Sequence, residues 1–149
     1  MTRRPWMLPL LFVLIGSVAA AGLAARGGPV PAAVFLLMFV LLALVNSPLP
    51  FPKSVGAAEA RRRSAADGRP VVYWRPGCKY CLRLRLRLGR DARLVHWVDI
   101  WRDPEGAAAV RAVNDGNETV PTMLAPGPGG EQTATTNPSV AQVKSALAL

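Results

Sequence analysis

The chain has two cysteines, Cys78 and Cys81, three apart in the run Trp74-Arg75-Pro76-Gly77-Cys78-Lys79-Tyr80-Cys81. Two sulfurs at that spacing suit thiol–disulfide exchange. One attacks a disulfide as a thiolate, and the other, one helical turn on, displaces the bound partner by intramolecular attack. The attacking sulfur belongs at the start of a helix, where unpaired N–H groups and the positive end of the dipole favour a thiolate. Cys78 is the expected nucleophile, with Arg75, Lys79 and Arg83 nearby to stabilise its negative charge, and Cys81 is the expected resolving thiol. Lys79, a cation inside the motif, is expected to raise the reduction potential.

Other uses of the pair are weaker. A zinc site needs four ligands, and the chain adds only His96, which reads as a packed strand residue. A cluster shared between two chains and a pair of inert buried thiols both stay open. One cysteine pair leaves no disulfide framework, which suits a reducing compartment.

The elements around the motif read as βαβαββα. Val71–Trp74 forms the first strand, with Pro70 at its start. Residues 82–88 alternate leucine and arginine, a strand-like period. The segment is nonetheless assigned to a helix, because both residues are good helix formers and none in the run is β-branched. Residues 94–100 form the second strand. Asp103-Pro104-Glu105 opens a helix as cap, first-turn proline and first-turn acid, and the helix stops near Asn114-Asp115-Gly116-Asn117. Residues 119–124 form a third strand, 126–130 a turn, 132–136 a weak edge strand, and 138–147 a closing helix capped by Thr136 or Asn137. Thr119-Val120-Pro121 places a proline at a strand start. There a cis bond would expose backbone groups to an extended substrate.

Residues 71–149 resemble the glutaredoxin family, most closely its mycoredoxin branch. The matching residues are Cys78-Lys79-Tyr80-Cys81, the stretch from Val113 to Thr122 that contains Thr119-Val120-Pro121, and Thr136-Asn137-Pro138-Ser139. The resemblance implies an α/β, thioredoxin-like fold and a cis Pro121. It also implies that the Val120 backbone pairs with the cysteine part of a low-molecular-weight thiol. Lys79, Tyr80, Thr119, Val120, Pro121, Thr136 and Asn137 are thus expected to bind substrate around Cys78 and Cys81. In that branch the thiol is mycothiol, used as co-substrate with no bound cofactor, and the reaction reduces mycothiol–protein mixed disulfides. A glutathione-like thiol is the other candidate. Lys79 departs from the glycine or proline usual at its position in the branch.

Ahead of this region, residues 7–25 and 32–45 are apolar, separated by Arg26-Gly27-Gly28-Pro29. The first stretch approaches the ~20 residues that a helix needs to cross hydrocarbon. A transmembrane hairpin is expected within residues 1–50, with helices over about 7–25 and 30–47. The competing reading of the first stretch is a cleaved leader, since Arg3 and Arg4 precede it and Val18-Ala19-Ala20-Ala21 are small. Residues 51–69 read as a basic juxtamembrane linker, its Ala/Arg-rich part a short helix against the headgroups. Residues 70–149 then form the redox domain.

The net charge of +9 is localised: residues 61–93 hold eleven Lys/Arg against two acids, whereas residues 94–149 hold three against six. Beside a membrane, such a block is attracted to anionic lipids. No zinc-finger, helix-turn-helix or RNA-binding pattern supports a nucleic-acid partner. Lysine and arginine flank the hairpin on both outer sides, and only Arg26 lies in its turn. This bias places both ends in the cytoplasm.

The expected protein is therefore a multi-pass inner-membrane oxidoreductase whose redox domain faces the cytoplasm. Its partners are a small thiol, disulfide-containing proteins near the membrane, and membrane lipids. An extracytoplasmic thiol oxidase or isomerase and a non-enzymatic metal or iron–sulfur module are the alternatives.

Overall fold

The computed structural model describes residues 6–127 and 131–148, which form two compact units. The first holds helices α1 (Met7–Ala25) and α2 (Pro29–Val45). Gly27, at φ +81°, breaks α1, and Pro29 starts α2 where no N–H is needed. The helices pack on small residues: Gly16 lies under Phe39, where any Cβ would collide. Leu10, Leu14, Val18, Leu37 and Leu41 stay exposed. Helix α1, with 19 residues and a mean hydropathy of 2.3, is long and apolar enough to cross a bilayer. Helix α2, at 17 residues, is shorter.

The second unit begins at Phe51. Its sheet has the order β2-β1-β3-β4, with β1 (Val71–Trp74), β2 (His96–Asp99), β3 (Thr122–Pro126) and β4 (Gln132–Thr136). Strands β1 and β2 run parallel, and the other pairs are antiparallel. Between them lie α3 (Ala57–Asp67) ahead of β1, α4 (Lys79–Leu88), a 3-10 turn over Gly89–Leu94, α5 (Pro104–Val113) and the closing α6 (Val140–Ala146). From β1 onward this is the expected α/β, thioredoxin-like order. Every residue of β1 is buried, as a central strand covered on both faces must be. On one face, Gly106 of α5 sits so close that a Cβ would lie 2.8 Å from Val98 Cγ1 and 3.5 Å from Tyr73 Cε1. On the other, the Trp97 indole N–H donates to the Ala92 carbonyl at 2.8 Å, placing the turn after α4 there.

Helix α4 resolves the conflict between period and propensity. It buries Cys81, Leu84 and Leu88, an i, i+3, i+7 stripe, and leaves Leu86 exposed. A strand would have placed all four leucines on one face. Asp103 caps α5 as expected, accepting the Gly106 N–H. The cap of α6 is Ser139, in a reciprocal capping box with Gln142, rather than Thr136 or Asn137. The expected turn at 126–130 lies partly outside the described residues, and Pro126 ends β3.

The expected linker at 51–69 is instead built into the second unit. Residues 51–55 run along the outer edge of β2: Val55 N–H donates to the Trp97 carbonyl at 3.2 Å, and Asp99 N–H to Ser54 Oγ at 2.8 Å. An edge strand needs such partners, because its outward backbone groups are otherwise unpaired. Phe51 stacks on Trp74 with ring centroids 3.7 Å apart and meets Trp97 edge-on at 5.6 Å. Helix α3 buries Ala57, Ala60 and Ser64. Its Arg61 pairs with Glu105 of α5, and its last residue, Asp67, pairs with His96 of β2 at 3.0 Å.

Phe51→Ala is expected to cost about 3 kcal/mol of unfolding free energy, as for other buried aromatics truncated to alanine. The measurement is chemical denaturation; a loss below about 0.5 kcal/mol would show that the strap is dispensable. Asp67 gives a second test. Partial burial pushes its carboxyl up, but the Arg69 N–H and the His96 ring outweigh this and hold it below the usual carboxylate range. The folded chain therefore binds this proton less readily than the unfolded chain. The stabilisation is present above the ordinary carboxylate pKa and is lost as pH falls through the lowered one. Asp67→Asn is expected to flatten that acid-side fall in thermal melting; an unchanged slope would contradict the assignment.

Candidate active site

The end of β1 fixes where the cysteines go. After Trp74 the chain turns through Gly77, at φ +75°, a conformation that suits glycine, and enters α4 with Cys78 as its N-cap. Cys78 and Cys81 are joined as a disulfide with Cα atoms 5.3 Å apart. The Cys78 sulfur accepts the Cys81 N–H at 3.2 Å, so it sits on the orphan donors of the first turn. Cys78 is partly exposed, whereas Cys81 is fully buried. Only the first sulfur is open to an incoming disulfide.

Facing Cys78 is the loop before β3. The Val120–Pro121 peptide is cis, and the Val120 carbonyl oxygen lies 3.5 Å from Cys78 Sγ. In the disulfide this is a contact; in the reduced protein a Cys78 thiol can donate there. The Val120 N–H has no hydrogen-bond partner among the described residues. Asn137, in the left-handed region at φ +52°, donates its N–H to the Pro121 carbonyl at 2.7 Å. Cys78, Val120, Pro121 and Asn137 thus form one continuous wall.

Thr119 and Thr136 join that wall through Asn114, whose bridging role sequence reasoning missed. Asn114 ends α5, and its amide nitrogen donates to the Val110 carbonyl at 2.9 Å and to Thr122 Oγ1 at 3.1 Å. Its side-chain oxygen accepts from Thr136 Oγ1. Thr122 Oγ1 donates in turn to the Thr119 carbonyl at 2.8 Å. One amide therefore ties the end of α5 to the loop before β3 and to the end of β4. The signals in the sequence were an amide side chain at a helix end beside a turn and its place in the family-matching stretch from Val113 to Thr122. Lys79 and Tyr80 stand apart from this network, exposed on the first turn of α4 with the Lys79 ammonium 5.1 Å from the Tyr80 ring centroid.

Behind the motif, Asp99 pairs in register with Trp74 and is buried. Burial pushes its carboxyl up, against the Trp101 N–H bonded to Oδ1 at 3.0 Å; Oδ2 has no hydrogen-bond partner among the described residues. His96 is bonded to Asp67, and no group of metal-ligating side chains occurs among the described residues.

Comparison with known proteins bears on this geometry. The glutaredoxin family model matches residues 71–127, the stretch from β1 through β3 that carries both cysteines and cis Pro121. Two Mycobacterium tuberculosis proteins, from strains CDC 1551 / Oshkosh and ATCC 25618 / H37Rv and provisionally named glutaredoxins, are each 39% identical over 77 residues. The aligned region is 52% of this chain and 87% of each relative. No solved structure matches the chain significantly. A strand–Cys-x-x-Cys–helix site facing a cis-proline loop, together with relatives covered over nearly their whole length, leads to one conclusion: the chain belongs to the glutaredoxin family.

Proposed function

We propose that the protein is a membrane-anchored thiol–disulfide oxidoreductase of the mycoredoxin type, reducing mixed disulfides between proteins and mycothiol. The observation that carries the chemistry is the asymmetry of the pair: Cys78 partly exposed at the N-terminus of α4, Cys81 buried one turn behind. The Cys78 thiolate attacks the small thiol's sulfur in a protein mixed disulfide. The protein thiolate leaves and takes a proton, and the small thiol remains on Cys78. A second small thiol then attacks that adduct, releasing the small-thiol disulfide and regenerating Cys78. Attack by Cys81 instead releases the small thiol and gives the Cys78–Cys81 disulfide seen here, which two small thiols reduce.

The dock for the small thiol is the wall beside Cys78. The unpartnered Val120 N–H and the nearby carbonyl suit an extended cysteinyl backbone. Thr119, Pro121, Thr136 and Asn137 shape the wall, and Lys79 and Tyr80 lie on its helix side. The choice of mycothiol over a glutathione-like thiol rests on the resemblance of the Cys78–Cys81 and Val113–Thr122 stretches to the mycoredoxin branch. The apolar length of α1 and the exposed leucines of both helices support a membrane anchor surrounded by lipid. The Lys/Arg bias supports a cytoplasmic redox domain, residues 51–149, acting on disulfide proteins near the inner membrane.

Cys78→Ser is expected to abolish reduction of a mycothiol–protein mixed disulfide, whereas Cys81→Ser retains the single-thiol route. Full activity in Cys78→Ser would sink the mechanism, and equal turnover with glutathione in place of mycothiol would sink the choice of thiol. In intact cells a membrane-impermeant thiol reagent is expected to leave Cys78 unlabelled. Asn114→Ala is expected to lose about 1–3 kcal/mol of stability through its orphaned partners. In addition it should raise KM for the small thiol more than it lowers kcat, since the loops it ties form the dock. Equal KM with lower kcat would place its effect elsewhere.

A further inference from the structure

The basic block of residues 61–93 is not one surface. Its first portion is largely paired: Arg61 with Glu105, Arg62 and Arg63 with Glu59, and Arg69 with Asp67. The portion that follows the nucleophile is uncompensated. Asp91 is the only acid between Val71 and Leu94, and Lys144 takes it at 2.9 Å. Arg85 turns back to the Gly89 carbonyl. Lys79, Arg83, Arg87 and Arg90 are exposed and form no ion pair with any described residue.

Their positions give that charge a direction. On α4, Lys79, Arg83, Leu86 and Arg87 fall on the face opposite buried Cys81, Leu84 and Leu88. The row starts beside Cys78 and runs about 12 Å along the helix at 1.5 Å per residue. Arg90 continues the charge into the 3-10 turn. Among the cations sit two exposed apolar groups, Leu86 at 65% and Tyr80 at 51%. Leu86 thus gives the charged face an apolar group at its centre.

We propose that this face of α4 docks disulfide proteins whose reactive cysteine is flanked by carboxylates. Arginines bind carboxylates through paired N–H donors, and a row of cations leading to the nucleophile steers an acidic segment along α4 until its disulfide meets Cys78. Anionic lipid would meet the same cations, but the row begins at the attacking sulfur, which favours a group that the sulfur attacks. The proposal rests on the oxidoreductase reading above and adds its protein-substrate class.

The test uses the full chain in zwitterionic nanodiscs and two synthetic peptides. Both carry the same mycothiol mixed disulfide, one with aspartates and glutamates around its cysteine, the other with lysines. The acidic peptide is expected to have a kcat/KM about tenfold higher at low salt, with the ratio falling towards one as salt screens the charges. R83E/R87E is expected to invert the preference, and R83K/R87K to keep it. A ratio of one in the wild type, or an acidic preference that survives R83E/R87E, overturns the proposal. Loss of discrimination together with α4 exchange protection only in anionic nanodiscs overturns it in favour of lipid. Anisotropy binding of the acidic peptide with its cysteine S-methylated reads the surface without chemistry. Turnover of neither peptide therefore counts against the oxidoreductase reading, while binding that is tight and lost in R83E/R87E still upholds the surface.

Discussion

Cys78 has to cap α4, and the rest of the second unit is arranged around that constraint. A helix begins with donors that have no partner in the preceding turn. Here the atom that meets one of them is the sulfur that would react, accepting the Cys81 N–H at 3.2 Å. To put it there, β1 must end at a fixed height, which its fully buried position in the middle of the sheet ensures. Once the helix starts at Cys78, helical geometry puts Cys81 on the inward face beside Leu84 and Leu88. Unequal exposure of the two sulfurs follows from one capping position.

Two supports hold that position from outside the motif. The strap at residues 51–55 hydrogen-bonds along β2 and lays Phe51 on Trp74, the residue from which the active-site turn departs. On the opposite side of the sheet order, Asn114 ties the end of α5 to the loop carrying cis Pro121 and to the end of β4. Asn137 closes the wall by bonding the Pro121 carbonyl. The strap sets the end of β1, and the amide network sets the wall that faces Cys78.

The strand–Cys-x-x-Cys–helix order is legible because its signals are local: a β-type run, a glycine turn, two cysteines at one-turn spacing and a stretch of good helix formers. The leucine–arginine alternation misleads only if period alone is read. Propensity decides it, and Leu86 is the residue left outside. The role of residues 51–69 is not legible in the same way. Ala57, Ala60 and Ser64 form a stripe too small to register as an apolar face, and the adjacent arginines read as surface charge. What binds them, Glu105 and the edge of β2, lies more than forty residues on. Asn114 is hidden likewise, since its partners Thr122 and Thr136 become neighbours only when β3 and β4 pair.

The two sulfurs have different jobs because the fold exposes them differently. The most direct measurement is peptide mapping after the fully reduced, folded chain is treated with less than one equivalent of iodoacetamide at neutral pH. Alkylation of Cys78 is expected, with Cys81 protected until the chain is unfolded. Equal labelling of both sulfurs, or earlier labelling of Cys81, would contradict it.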